Sequence, residues 1–293
     1  MPTVSIVLPT YNGARYISQA IESCLNQTFT DLELIVVDDC SQDETPIILN
    51  SYKDPRLCVI HHSVNRKLPT ALNTGFSRAQ GDYFIWIADD DLFDQSSLEI
   101  LAGYLEKNPQ VDFVYADYCL TNEEGTPTKR INLFPQSPNQ PHNTPAFLYR
   151  RNIFFELGGY NPEYFRVEDY EFWLRASQRF KMEYIRTEKP LYLLRQHQGT
   201  LSDNYRWYVH ELSVKLRYDI LGINYLEYSR QMAFVHVQAA FEAYRIGNPL
   251  GVCRRSLKAI IRDPTWLFNR GFMSITARSV WKCLKHENAI QSP

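Results

Sequence analysis

The acidic residues that follow apolar runs carry the first chemical signal in this sequence. Asp38 and Asp39 come directly after Leu34-Ile35-Val36-Val37, and Asp89-Asp90-Asp91 follow the run Tyr83-Phe84-Ile85-Trp86-Ile87 with one alanine between. Short apolar runs of this kind read as buried strands, so both clusters sit at strand C-terminal ends. In open α/β sheets ligands bind just outside those ends, and acids on neighbouring strands face one crevice. Three adjacent carboxylates raise one another's pKa, a cost offset by a bound cation or by wide solvation. A magnesium or manganese ion takes few carboxylates, keeps several waters and draws its remaining ligands from substrate phosphates. The implied ligand is a nucleoside diphosphate. The competing reading of either cluster is a solvated turn that caps the next helix. No G-x-x-x-x-G-K-[ST] or G-x-G-x-x-G occurs, so neither a P-loop nor a dinucleotide cradle is present to neutralise the phosphates.

Strands are expected at Val4 to Leu8, Leu32 to Val37, Leu57 to Ile60, Tyr83 to Ile87 and Asp112 to Ala116. Ile17, Ala20, Ile21, Cys24 and Leu25 lie at helical spacing and predict one apolar stripe, as do Leu98, Leu101, Ala102 and Leu105. Ser41-x-x-Glu44 and Ser96-x-x-Glu99 match the capping box, which predicts helix starts there. From Thr121 to Pro145 the turn residues predict a hairpin and then irregular loop. A helix over Asp169 to Gln178 and strands at Lys181 to Ile185 and Leu191 to Arg195 follow. Asp169 lies near the start of that helix, where a carboxylate by itself reads as a cap. Beyond Asn204 strand alternation gives way to helical runs, Leu212 to Tyr218, Met232 to Tyr244 and Leu257 to Ile261. The expected division is therefore 1–203, an α/β domain, and 204–293, a helical region.

The chain has 293 residues, 44% hydrophobic and 14% aromatic, which excludes disorder as the main state. Its formal net charge of -2 supplies no global field for nucleic acid. Residues 251–293 carry +6 and the remainder -8. No stretch approaches the roughly 20 apolar residues of a membrane span. Met1-Pro2-Thr3-Val4 lacks the basic start of a signal peptide, so the expectation is a chain that begins here in the cytoplasm. Six scattered cysteines without a C-x-x-C pair are expected as reduced thiols, mostly in the core.

Ser5-Ile6-Val7-Leu8-Pro9-Thr10-Tyr11-Asn12, Val37-Asp38-Asp39-Cys40-Ser41-Gln42-Asp43, Asp89-Asp90-Asp91 and Glu168-Asp169-Tyr170-Glu171-Phe172-Trp173-Leu174-Arg175 occur in this order. Together they resemble the motifs of family 2 glycosyltransferases over roughly residues 3–203. The resemblance implies a GT-A fold, a mixed sheet flanked by helices. It also implies inverting transfer of a sugar from a nucleotide donor, first of all a UDP-sugar, with Mn2+ or Mg2+. By the same resemblance Pro9, Thr10, Tyr11 and Asp39 would hold the nucleoside, Asp39 accepting from the base N–H, with Asp38 beside them. Asn65, Arg66 and Asn73 would contact base and ribose. Asp89 would serve the ribose or the metal shell, and Asp90 with Asp91 the metal. Position 88 is Ala88 where the family commonly has an acid, which leaves open which carboxylate coordinates. Asp169 becomes the candidate general base. Gly158-Gly159-Tyr160-Asn161 fits a family turn whose glycines serve steric needs. Arg195, His197 and Ser202 lie where the family closes a strand and loop over the donor, so Arg195 or His197 could touch diphosphate or metal; a structural histidine is the competing reading. Glu168, Tyr164 and Trp173 are candidates for donor-loop or acceptor contacts, with the core as the other place for Trp173.

Two other readings compete with transfer. Asp89-x-Asp91 resembles the nucleophile loop of haloacid-dehalogenase-like phosphatases, but Phe93 stands where that loop has Thr or Val. An inactive nucleotide-sugar binder is the second. The acceptor is expected to be a saccharide or lipid-linked saccharide in cell-surface polysaccharide synthesis. Basic residues interleaved with apolar ones over 251–293 suit either anionic lipid at the inner membrane face or a packed helical cap.

Overall fold

The computed structural model describes residues 2–133, 144–197 and 206–290. The chain divides into two compact units, Met1–Leu201 and Ser202–Pro293. The division expected near residue 203, the position of Ser202 and most of the loop expected before Pro145 lie outside the described residues.

The first unit runs β1 (Val4–Thr10), α1 (Ile17–Leu25), β2 (Leu32–Asp38), α2 (Thr45–Ser51), β3 (Leu57–His61), α3 (Leu68–Arg78), β4 (Tyr83–Trp86), β5 (Leu92–Phe93) and α4 (Ser97–Lys107). It continues with β6 (Phe113–Ala116), β7 (Tyr118–Thr121), β8 (Pro127–Ile131), β9 (Phe147–Arg150), α5 (Arg151–Leu157), α6 (Glu168–Ser177), β10 (Met182–Ile185) and β11 (Tyr192–Arg195). The main sheet has the order β10-β6-β9-β4-β1-β2-β3. Strands β3, β2, β1 and β4 are parallel, and β9 is antiparallel to both β4 and β6. All seven residues of β1 are buried, because helices cover both faces of a parallel sheet. The register sets Thr10 beside Asp38 and Asp38 beside His61, which lines three polar side chains along one sheet edge. Helix α3 lies flush on β1: a Cβ at Gly75 would overlap the Val7 side chain.

A smaller sheet, β5-β11-β7-β8, stands beside the acidic turn. Its β7–β8 hairpin turns through Asn122 to Thr126, with Gly125 at φ +86°, a conformation that costs a glycine little.

Neither expected capping box forms. Ser41 Oγ accepts from Asn12 N, and α2 starts at Thr45, whose N–H goes to Asp43 Oδ1. Ser96 does precede α4, but its hydroxyl donates to Asp94 Oδ1 and Glu99 accepts from Thr28. Tertiary partners outbid the local pattern at both places. All six thiols are free, yet only Cys24 and Cys119 are buried, so the expectation of mostly core cysteines is corrected.

The second unit consists of α7 (Arg206–Leu221), α8 (Tyr225–Arg245), α9 (Pro249–Arg262), a 3-10 turn (Pro264–Phe268) and α10 (Arg270–Ile290). Asn224 and Asn248 cap α8 and α9 through their side-chain oxygens. Small and apolar side chains, Val237, Ala240, Val252, Ala259 and Phe272, make its core. The three helical runs expected from sequence fall within α7, α8 and α9.

Candidate active site

The turn after β4 holds three consecutive carboxylates in three different environments. Asp89 Oδ2 accepts from Thr10 Oγ1 at 2.5 Å. Burial, and secondarily the charge of Asp90, pushes its pKa up to about 7. The loop after β1 closes over it so tightly that a Cβ at Gly13 would overlap the Asp89 carboxylate. Asp90 Oδ2 lies 2.9 Å from His197 Nε2, its side chain 26% exposed. Asp91, expected as a second metal ligand, is turned the other way: Oδ1 accepts from Arg195 N and Oδ2 from Tyr192 OH, each at 2.7 Å. That carboxylate is buried and ties the turn to β11. The phosphatase reading fails on the same geometry, since the carboxylates of Asp89 and Asp91 are both engaged by protein donors.

Arg195 is corrected as well. It is buried, and its guanidinium goes to Asp90 O at 2.7 Å, Gln19 Oε1 at 2.7 Å and Glu123 O, while it covers the Tyr16 ring. Three protein acceptors on three segments make it a brace behind the acidic turn, not a diphosphate contact. His197, two residues on, lies against Asp90, a contact that suits either of its two expected readings.

Among the described residues no three His, Cys, Asp or Glu side chains are grouped to cage a metal ion. Asp90 and His197 offer one carboxylate and one imidazole side by side. That pair fits a cation that keeps waters and takes phosphate oxygens, and does not fit one enclosed by protein.

The loops after β1, β2 and β3 are stitched together on the side expected to hold the nucleoside. Asp39 N donates to Thr10 O at 2.8 Å, Asn12 N to Ser41 Oγ, and Gln42 N to Asn12 Oδ1. Asp38 is buried and accepts from Ser41 N and His61 Nδ1. Asp39 accepts from His62 Nδ1, from Arg66 N on both oxygens, and from Lys67 N. Those contacts fill the roughly four lone-pair positions of a carboxylate, so the base N–H expected there would have to displace one. Asp39 shapes the loop that carries Asn65 and Arg66. Pro9 is buried, Tyr11 is 49% exposed and the Arg66 side chain is exposed. Asn12, Cys40 and Lys67 all hold positive φ without being glycine, a strain that concentrates at binding loops. His61 and His62 were not singled out from sequence, although they follow the run Leu57 to Ile60 just as the acids follow theirs.

Asn73 departs from its expected contact with base or ribose. Its Nδ2 donates to Tyr160 O at 2.7 Å and its Oδ1 accepts from Tyr160 N at 2.8 Å. A Cβ at Gly159, φ +77°, would lie 2.6 Å from Asn73 Oδ1, so the second glycine of the turn is steric. The same stretch leads through a 3-10 turn, Pro162–Tyr164, to α6. Tyr164 is half-buried at its end. Glu168 is buried, accepts from Arg166 N at 2.5 Å, and has its pKa raised to about 8 by burial and then by Asp169. Asp169 is half-buried and accepts from Tyr170 N. Trp173 is corrected to the core, edge-on to Phe113, Tyr115 and Phe147.

With this geometry in place, relatives are informative. The Glycosyl transferase family 2 description matches residues 5–169, ending on Asp169. An uncharacterized glycosyltransferase of Rickettsia prowazekii is 33% identical over 188 residues, 59% of this chain and 58% of that protein. A putative colanic acid biosynthesis glycosyl transferase of Escherichia coli, WcaA, is 29% identical over 187 residues, 59% of this chain and 66% of that one. The chain spans about three fifths of the length of the first of these relatives. Staphylococcus aureus TarS 1-349 in complex with UDP-GlcNAc superposes with a TM-score of 0.65 at 19% identity, over 88% of this chain and 79% of that one. The mannosyltransferase PcManGT from Pyrobaculum calidifontis, in complex with GDP-Man and Mn2+, gives 0.60 at 15% identity, over 96% and 84%. At such identities the likeness is one of fold, a mixed sheet flanked by helices.

Proposed function

The chain belongs to glycosyl transferase family 2, and from that premise we propose that it moves a sugar from a nucleoside-diphosphate donor to a hydroxyl of a saccharide or lipid-linked saccharide, with inversion. The observation that carries this reading is the stitched crevice: acids after β2 and β4, the loops after β1 and β3, and the Asn73 clasp to the turn before Glu168-Asp169.

Pro9, Thr10, Tyr11, Asp38, Asp39, Asn65 and Arg66 line the nucleoside side, and Asp89 serves the ribose end. A UDP-sugar is the proposed donor; UDP-GlcNAc and GDP-Man in two structures of this fold support a nucleotide-sugar in general. Asp90 and His197 would hold a Mn2+ or Mg2+ ion, which when bound offsets the charge of the diphosphate. Asp169 takes the proton of the acceptor hydroxyl. It is suited to that by its place, half-buried at the start of α6 beside the more deeply buried Glu168, whose own pKa is raised to about 8 by burial and then by the neighbouring Asp169. Attack from the side opposite the leaving group inverts the anomeric centre. Tyr164 stands where an acceptor ring could stack.

The proposed setting is cell-surface polysaccharide synthesis in the cytoplasm, at the inner membrane face. Among the described residues no helix is long and apolar enough to cross a membrane. Leu250, Leu257 and Ile261 of α9 and Phe268 of the following turn are exposed, beside exposed Arg254 and Lys258. That mixture supports peripheral contact with anionic lipid.

Asp169→Asn tests the reading. It keeps a hydrogen-bond acceptor but cannot take a proton, so UDP binding should persist while transfer falls about 10²- to 10⁴-fold. NMR of the wild-type product should show the anomer opposite to the donor. Near wild-type transfer by the variant, or a retained anomer, refutes the assignment; absence of any transfer by the wild type favours a binder that lacks catalysis.

A further inference from the structure

The histidine of the proposed cation pair rests on an aromatic ring that the transfer reading leaves without a task. Tyr16 immediately precedes α1, where Ser, Thr, Asp or Asn is the usual cap, and its side chain makes no cap. The ring is buried and packs on His197, with centroids 5.0 Å apart and planes tilted by 46°. The Arg195 guanidinium lies over the same ring, 4.6 Å from its centroid. The Tyr16 hydroxyl donates to Glu123 Oε1 at 2.8 Å, and Arg15 Nη2 meets the same oxygen at 2.5 Å. Glu123 belongs to the turn between β7 and β8, and its carbonyl accepts from Arg195.

An imidazole by itself does not hold one direction, because the torsion that turns it is broad and roughly two-fold. His197 nonetheless keeps Nε2 at 2.9 Å from Asp90 Oδ2, and the Tyr16 ring against it limits how far it can turn. Tyr16 is itself tied at three places: its hydroxyl on Glu123, its ring under Arg195, and its main chain, where the N–H donates to Gly13 O at 3.0 Å. Groups that orient a ligating histidine matter to the metal, and losing one costs about 10- to 100-fold in affinity. With one carboxylate and one imidazole supplied, half of the protein's share turns with this one ring.

We propose that Tyr16 is a positioning residue for the cation: its ring, anchored by Glu123 in the β7–β8 turn, holds the His197 imidazole with Nε2 toward the ion shared with Asp90. The second sheet thereby acts on the acidic turn through its hairpin as well as through β11. The proposal rests on the assignment of Asp90 and His197 to a divalent cation; the packing of Tyr16 does not. Tyr16 acts only through His197, which separates it from a residue that merely fills the core.

The test is a double-mutant cycle on the full chain. Equilibrium dialysis of radiolabelled UDP over a series of Mn2+ concentrations reads the Mn2+ needed for half-maximal binding. Tyr16→Leu should raise that concentration by about tenfold. Tyr16→Phe and Glu123→Ala keep the ring and release only its hydroxyl, so each should raise it by about threefold. In a His197→Ala background all three changes should add nothing beyond about twofold. Melting curves establish that each variant is folded; where Tyr16→Leu is not, the cycles with Tyr16→Phe and Glu123→Ala decide. An effect that persists undiminished in His197→Ala makes Tyr16 a core residue and overturns the proposal, as does equal damage by Tyr16→Phe and Tyr16→Leu. If His197→Ala raises the Mn2+ requirement and the folded Tyr16 variants do not, the positioning role alone is refuted. A His197→Ala protein with an unchanged Mn2+ requirement, or a wild type whose UDP binding ignores Mn2+, refutes the cation pair and the proposal with it.

Discussion

Replacing Asn73 by alanine separates a donor contact from a positioning role. In the structure the Asn73 amide spends both ends on the main chain of Tyr160, at 2.7 and 2.8 Å, and Tyr160 is buried and stacked on Phe172. Truncation leaves one N–H and one C=O unpaired where each costs about 1–3 kcal/mol. Alanine returns roughly 0.5 kcal/mol through its better helix propensity in α3. The expected net loss is therefore about 2–5 kcal/mol, toward the lower figure where water reaches the vacated groups. Urea unfolding followed by tryptophan fluorescence reads this as a lower midpoint at an unchanged slope. UDP affinity should stay within about threefold, because no donor contact is removed, while transfer falls as the segment leading to Asp169 loosens. A stability within ~0.5 kcal/mol of wild type together with at least tenfold weaker UDP binding would return Asn73 to the nucleoside.

Asp90→Ala should abolish the Mn2+ dependence of UDP binding and leave the melting temperature nearly unchanged, since a turn carboxylate a quarter exposed adds little to the fold; equal UDP affinity with and without Mn2+ in both proteins would refute the metal assignment. Glu168 sets a pH dependence: its folded pKa, about 8, lies above the ordinary glutamate value, so the folded state binds the extra proton. Its stabilising contribution is complete below about pH 4.5 and is lost as pH rises through about 8. Glu168→Gln should flatten that fall in thermal melts, and an identical slope in both proteins would contradict the burial argument. The 293-residue chain should bind anionic vesicles at low salt and release them as salt rises. The double change Leu257→Ser and Ile261→Ser should weaken this binding; indifference of the wild type to such vesicles favours the packed-cap reading.

What the sequence reveals of this molecule follows from how local each signal is. Runs such as Leu34-Ile35-Val36-Val37 announce buried strands because a parallel sheet is apolar on both faces, and acids that interrupt them mark the functional edge. Strand β9 hides because Phe147 to Arg150 is one more apolar run, and nothing in it says that it inserts antiparallel between β4 and β6. The capping boxes mislead for the same reason in reverse: Ser96 and Glu99 have the right spacing, but Asp94 and Thr28 are better placed partners. Arg195, Asn73 and Asp91 carry the residue types of a ligand-binding site. Only the fold shows that their hydrogen bonds are spent on Gln19, Tyr160 and Tyr192, residues 87 to 176 positions away or, for Tyr192 and Asp91, 101 positions.

The acidic turn also bears on how the chain acquires its site during synthesis. Asp89 is held by Thr10, 79 residues earlier, while Asp90 meets His197, 107 residues later. The proposed cation pair, Asp90 and His197, therefore cannot exist in any partly made or partly folded chain that lacks either sheet. Contacts of such separation form late and slowly, so a nascent chain cannot assemble the proposed pair until residue 197 has emerged and β11 has docked. If the proposed donor and cation bind there, they add stability only once that pair has formed, so protease resistance gained on adding UDP and Mn2+ to arrested chains is expected only past that length.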